Sequence, residues 1–410
     1  MLARRSTSIR TNLITAAGCL LLLGATARAD GEKNPSPEQQ AFDSALKKAM
    51  PAKAPLSDGA ASGVLGTGRM RQANSVAAAI LERRMEQRRS GELKLVREAG
   101  RAEVIVVQGS YDRVQDVLRA LKIKHVVVPP HLVAKLPLMS TQTLMINCPG
   151  SISGPGVAKV RRFVKTGGYL VTTDWALTLL ARAFPGYVTR GGRNTGNDVV
   201  KVHVHEHDDP WLKQIKAMKD KPRWWLESSS YPIRILNTQK VKVLISSREM
   251  RKKYGHSPIA VSFPFDDGKV LHMTSHFYLQ QGKARTAREK AKGTVFAKSA
   301  GLNDKQLKEL RAKGLDNVRA GDLNSAYSMQ QLTTNVLVNR KGYNKELLGK
   351  YGKKAKRKIQ LRRAPSASPN KSDADVGKDY RLRVMKKDGQ KVKVRDLFGN
   401  EGWIDQSELY

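Results

Sequence analysis

GGYLVTTDWALTLLARAF, residues 167–184, is the stretch whose reading decides the fold. A glycine pair leads into the apolar run 169–173, and Leu177, Leu180 and Ala181 then recur at helical spacing. This is strand, sharp turn, helix. In many α/β enzymes the residue at such a turn is the nucleophile. Here the turn carries Asp174. A carboxylate there can serve as general base, metal ligand or nucleophile. It can also cap the following helix by accepting from its free backbone N–H groups. The cap is the reading the sequence favours.

The same alternation extends on both sides. EVIVV is a strand, and RVQDVLRALK places Val114, Val117, Leu118 and Leu121 on one helical face. HVVVPP and TLMINCPG are further strands, and VAKVRRFVKTGG is a helix with Val157, Val160 and Phe163 turned inward. Short apolar strands joined by amphipathic helices predict an α/β sandwich, a parallel sheet covered on both faces. VVKVHVHEH, KVKVLISS, SPIAVSF and GKVLHMTSHF add strands. A basic insertion from 282 to about 320 reads as a partly helical surface segment. Residues 324–341 read as a closing helix, with Met329, Leu332, Val336 and Leu337 on its apolar side.

The flanks have other compositions. Arg4, Arg5 and Arg10 precede a short apolar run that ends at Ala27-Arg28-Ala29, the pattern of an export signal spanning 1–29. Residues 30–101 divide into an Ala/Gly-rich linker and a basic helical stretch from 75, broken near Gly91. The α/β domain is placed at 102–345 and a basic linker at 346–358. From 359 to 410, LRVMKKDGQKVKV and RDLFGNEGWI read as two hairpins, the first turning at Asp388-Gly389. These make a small all-β barrel.

The chain holds 74 Lys and Arg against 36 Asp and Glu, a net +38, and a leader with four arginines and no acid accounts for 4 of it. The remaining +34 favours anionic partners: an anionic cell-envelope polymer or a protein partner first, nucleic acid second, since no nucleic-acid motif is present. Outside the leader Cys148 is the only cysteine, so no disulfide framework exists.

Two resemblances follow from particular residues. INCPG after the third strand, RRFVKTGGYLVTTDW, HEHDDPW and GKVLHMTSHF make 102–280 resemble the class I glutamine amidotransferase-like superfamily, in particular its trehalose-utilisation-type members. LRRAPS and GNEGWID make the tail resemble a bacterial SH3-type domain. The first resemblance implies a flavodoxin-like sandwich with any site in the crevice at the carboxyl ends of the strands. It also implies a cysteine in a Gly-x-Cys-x-Gly elbow. This chain has Thr172-Thr173-Asp174-Trp175-Ala176 there, and Cys148 lies on another strand end. Amidotransferase chemistry is therefore not expected.

The remaining candidates lie around that crevice. His276 follows the strand expected beside the elbow, where the superfamily's histidine is often functional. Glu227, in RWWLESSSYP, is the third catalytic candidate after Asp174 and His276. Cys148, Trp225 and Tyr231 are candidate ligand contacts, against the plainer reading of Cys148 and Trp225 as core. His203, His205 and His207 alternate along one strand face and could ligate a metal with Asp208 and Asp209. Lys201 on the same face opposes that. GSISGPG at 150–156 misses both dinucleotide and P-loop spacing, and no cofactor is expected. The sequence thus predicts an exported protein of the periplasm, cell envelope or exterior, binding or scaffolding rather than catalytic. A hydrolase or carbohydrate-processing enzyme using Asp174 and His276 is the alternative.

Overall fold

The computed structural model describes residues 35–50, 67–205, 209–213, 223–275, 287–368, 370 and 373–410. Helix α1 (Pro37–Ala49) is capped by Ser36, whose Oγ accepts from the Gln39 N–H, and it buries Phe42 completely. Helix α2 (Thr67–Arg97) is longer than the predicted helix and kinks at Arg89 (φ −151°) rather than at Gly91. Residues 37–49 and 67–74, placed in the linker by the sequence, are helical instead. Alanines 73, 77, 78 and 79, with Val76 and Ile80, give α2 a smooth buried side that packs on the sheet domain.

Strands β1 (Val104–Val107), β2 (Val126–Val128), β3 (Thr143–Ile146) and β4 (Tyr169–Thr173) alternate with helices α3 (Val114–Ala120) and α4 (Gly154–Lys165). Helix α5 (Leu177–Ala183) follows β4. An excursion of short strands comes next: β5 (Val188–Arg190), β6 (Asp198–Lys201), β7 (His203–Val204), β8 (Arg223–Leu226) and β9 (Ile233–Ile235). The chain returns through β10 (Lys242–Ser246), α6 (Arg248–Tyr254), β11 (Pro258–Phe265) and β12 (Gly268–Met273).

The main sheet has the order β2-β1-β3-β4-β12-β11-β10-β7. Its first five strands are parallel, in the flavodoxin-type order. The other three run antiparallel to their neighbours, so the sheet is mixed rather than parallel throughout. The cause is local. Only Asp266 and Asp267 separate β11 from β12, with Asp266 at φ +49°, and a turn that short joins antiparallel strands alone.

Both faces of the sheet are buried, and alternate residues divide between them. Val104, Val106, Met145 and Val171 face α2 and α3, while Ile105, Val107, Leu144 and Leu170 face α4 and α5. The basic insertion continues through α7 (Ala287–Lys290), α8 (Gly293–Ser299) and α9 (Asp304–Ala312). It is not merely surface, because Phe296, Leu307, Leu310 and Leu315 join the core. Helix α10 (Ala320–Lys350) runs well beyond the predicted closing helix and takes in the start of the expected linker. No described helix is long and apolar enough to cross a membrane.

The C-terminal unit has a four-stranded antiparallel sheet of β13 (Lys353–Lys354), β16 (Arg381–Asp388), β17 (Lys391–Asp396) and β18 (Glu401–Asp405). The pair β14 (Ile359–Gln360) and β15 (Asp375–Val376) completes it. Its own core includes Ile359, Leu382, Val392, Val394 and Ile404. The unit is docked rather than tethered. Ser140 N–H donates to the Leu397 carbonyl at 2.7 Å, and Arg162 Nε donates to the Gly399 carbonyl at 2.7 Å. The Asp267 carboxylate takes Arg383 at 2.7 Å and Lys350 at 3.1 Å, and these cations hold it below the usual carboxylate range against its partial burial.

Arg340 anchors α10. Its buried guanidinium donates to the main-chain carbonyls of Ser140, Thr141 (3.2 Å) and Gly167 (2.6 Å), and its Cζ lies 4.5 Å from the centre of the Tyr169 ring. Burial lowers its pKa to about 10, which leaves it charged at neutral pH. Replacing it leaves the Ser140 and Gly167 carbonyls without their donor, each costing about 1–3 kcal/mol, while Asn344 still donates to Thr141. Arg340→Ala is therefore expected to lose about 3 kcal/mol or more in urea unfolding, and Arg340→Lys to recover only part. A loss below about 1 kcal/mol for Arg340→Ala would contradict the anchoring role.

Candidate functional site

The crevice at the carboxyl ends of β1, β3, β4 and β12 is built by four loops. After β1, Gly109 passes so close to the Asn147–Cys148 backbone that a Cβ there would lie 2.1 Å from the Cys148 carbonyl oxygen. Only glycine permits this approach. The neighbouring Asp112 is buried, and its carboxylate accepts from Cys148 N–H at 2.8 Å and Thr173 Oγ at 2.5 Å. It ties the ends of β3 and β4 together. Asn147 adds a second tie, accepting from Val114 N–H at 3.1 Å and donating to Gln115 Oε1 at 3.0 Å.

Asp174 stands at the tip of β4 with φ +44°, in the left-handed region. Nucleophile elbows use a strained strand-to-helix turn of this kind, and here it carries neither a cysteine nor flanking glycines. The side chain is only 2 % exposed. It does not cap the following helix, which corrects the reading favoured from the sequence. Its Oδ1 accepts from Tyr231 N–H and its Oδ2 from Ser230 Oγ, both at 2.9 Å. The carboxylate reaches across the crevice to the 227–231 loop rather than down to the N–H groups of α5.

That loop is held from several sides. Ser230 Oγ lies 3.3 Å from Ser275 Oγ, which accepts from Glu227 N–H at 3.1 Å. Thr195 exchanges main-chain bonds with Ser229 and Ser230. Asp174, Ser229 and Ser275 are all left-handed non-glycine residues, so strained backbone gathers at this one point. Above it, Trp175 Nε1 donates to the Ser229 carbonyl at 2.7 Å. The Trp175 ring stacks on Tyr231 at 5.7 Å and meets the exposed Tyr111 edge-on at 5.1 Å. The Arg190 guanidinium lies 4.4 Å from the Tyr231 ring centre. Aromatic side chains and one cation thus close over the carboxylate.

The other expected residues are dispersed. Tyr231 and the partly exposed Glu227 are at the crevice, but His276 lies outside the described residues. Cys148 is buried beneath its loop. Trp225, a candidate ligand contact, lies in the core, the plainer of the two readings: β8 pairs with β6 and its ring joins the cluster that holds Val200. His203 and His205 share an exposed edge with rings 4.6 Å apart, and His205 Nε2 bonds Ser246 Oγ at 2.7 Å. Lys201 pairs with Glu249, and His207 and Asp208 lie outside the described residues. No metal-ligating group of three occurs among the described residues. Ser153 caps α4, so the glycine-rich run 150–156 is a helix entry.

Sequence reasoning missed Asp112, Ser230 and Ser275. A signal existed for Asp112, since it follows the first strand after a glycine. The serines carried none.

No family model and no curated protein matches this chain. Solved structures do align. A glutamine amidotransferase of Thermotoga maritima aligns at 10% identity and TM-score 0.34, over 59% of this chain and 99% of that one. A protein described as ThuA-like from Bacteroides uniformis aligns at 13% and 0.32, over 45% and 86%. The GH42 β-galactosidase Gan42B aligns at 14% and 0.28 over 42% of this chain, which spans only 27% of that enzyme. Likeness at this level carries no conclusion about activity or fold, and the α/β assignment stands on the sheet itself.

Beside Asp174 lies the fully buried His272. Its Nδ1 is 2.9 Å from Thr172 Oγ1, and its Nε2 has no partner among the described residues. Burial lowers its pKa to about 4, with the Asp174 charge partly opposing the shift. The unfolded chain, titrating near 6.5, binds the proton more readily. The stability contribution is therefore complete above about pH 6.5 and lost as pH falls toward 4, by up to about 3 kcal/mol. Urea unfolding of the wild type should weaken more steeply over that range than that of His272→Gln. Parallel profiles would contradict the assignment.

Proposed function

We propose that this is an exported, non-catalytic binding or scaffold protein of the cell envelope, built on an amidotransferase-like domain with an SH3-like C-terminal unit. One observation carries the reading: the residue at the nucleophile position is a buried carboxylate with both oxygens engaged by the 230–231 segment. A nucleophile or general base must reach substrate, and a general base must also titrate near the working pH. Asp174 instead spends its lone pairs inside the protein, beneath Trp175 and Tyr231. The expected partner is an anionic envelope polymer. Lys353 and Lys354 on β13 and Lys386 and Lys387 on β16 are exposed on neighbouring strands of the docked C-terminal unit. They add exposed positive charge to a chain of net +38.

The left-handed turn at Asp174 is the feature that favours the competing reading, a hydrolase using Asp174 with His276. The purified chain without residues 1–29 should turn over neither glutamine, simple amides nor sugar esters above buffer. It should be retained on an anionic cell-wall polymer resin at low salt, with affinity falling about tenfold or more as salt rises severalfold. Turnover abolished by Asp174→Asn at unchanged melting temperature would overturn the proposal. So would salt-insensitive retention or none.

A further inference from the structure

A second concavity lies at the opposite end of the sheet from the crevice. It has a volume of about 290 Å³, close to the lower range of small-ligand pockets. Its walls include Trp211, Asp209, Lys242, Ser262, Pro264 and Lys269. The sheet explains the convergence. Lys242 opens β10 and pairs with Ser262, while Lys269 near the start of β12 pairs with Pro264, so these four share one face at the amino ends of β10 and β12.

The aromatic wall is rigid. Trp211 Nε1 donates to Asn339 Oδ1 at 3.0 Å, and Tyr169 donates to the same oxygen at 3.0 Å. The Trp211 ring packs edge-on against Tyr169 at 5.9 Å. Lys269 Nζ rests 5.8 Å and 5.9 Å from the centres of the Tyr169 and Tyr343 rings, which orients its ammonium group. Asp209 Oδ1 accepts from the Trp211 N–H at 2.9 Å, which fixes its carboxylate at the rim. No ion pair joins Lys242 or Lys269 to a carboxylate among the described residues.

This combination has a specific chemistry. Two ammonium groups with no carboxylate ion pair among the described residues favour an anionic group. Trp211, 3 % exposed, gives the pocket a fixed apolar floor, and a carboxylate with a serine hydroxyl accepts and donates to ring hydroxyls. We propose that the pocket binds a sugar ring bearing one carboxylate or phosphate. The inference rests on the binding role proposed above, narrowing it from a basic surface to one pocket with a ligand class.

Calorimetric titration of the chain lacking residues 1–29 tests it, with glucuronic acid, glucose 6-phosphate, glucose and inorganic phosphate as probes. Saturable binding of at least one acidic sugar is expected, with glucose and inorganic phosphate each about tenfold weaker or worse. Lys242→Gln and Lys269→Gln should each weaken that binding by about tenfold, and Lys242 is exposed enough that its replacement leaves the fold intact. No saturable binding of either acidic sugar, or binding indifferent to both substitutions, overturns the pocket. Glucose or inorganic phosphate binding as tightly as the acidic sugars overturns it too. Polymer retention by an unmodified chain that binds neither acidic sugar removes the pocket alone and leaves the wider reading standing. Loss of retention in the unmodified chain removes both.

Discussion

A carboxylate buried at the carboxyl end of a central strand must find donors, and here that requirement organises the crevice. Among the described residues Asp174 has two, Ser230 Oγ and Tyr231 N–H, both on a loop more than fifty residues later in the chain. An unsatisfied buried carboxylate would cost several kcal/mol, so the 227–231 loop cannot leave without a large penalty. With the loop in place, Tyr231 stacks on Trp175 and the indole N–H bonds Ser229. The backbone strain at Asp174, Ser229 and Ser275 is held by these contacts. The carboxylate is held to the 230–231 segment by these polar ties.

The same logic, buried charge matched by fixed partners, recurs at the other end of the sheet. Arg340 satisfies three main-chain carbonyls and sets α10 against the entries to β3 and β4. Asp267 gathers Lys350 from the end of α10 and Arg383 from the C-terminal unit. The C-terminal unit is therefore tied to the α/β domain by charged and main-chain contacts rather than by a free linker.

Much of the fold was legible in the sequence because hydrophobic period carries it. The strands at 104–107, 143–146 and 169–173 are short apolar runs, and α3 and α4 show their inward valines plainly. What failed was context. The segments 37–49 and 67–74 looked like linker because Ala, Gly, Ser and Pro dominate their surroundings, yet both are helical, and α2 buries small alanines against the sheet domain. The β11–β12 hairpin was hidden because a sequence of strands does not state their direction. VVKVHVHEH looked like one strand, but its described part divides between β6 and β7, which pair with different partners. At the site, Asp174 was identifiable by position but its role was not. A cap and a cross-loop tie use the same residue type, and the serines that decide between them sit where nothing in local composition marks them.

The most direct measurement is hydrogen exchange at the Tyr231 amide. If Asp174 is an internal strut, that amide is strongly protected in the native protein. Protection should then fall in Asp174→Ala and persist largely in Asp174→Asn, with the amides of β1, β3 and β4 unchanged in both. A Tyr231 amide that exchanges freely in the native protein, or that is indifferent to Asp174→Ala, would contradict the account and return the crevice to the open state an enzyme needs.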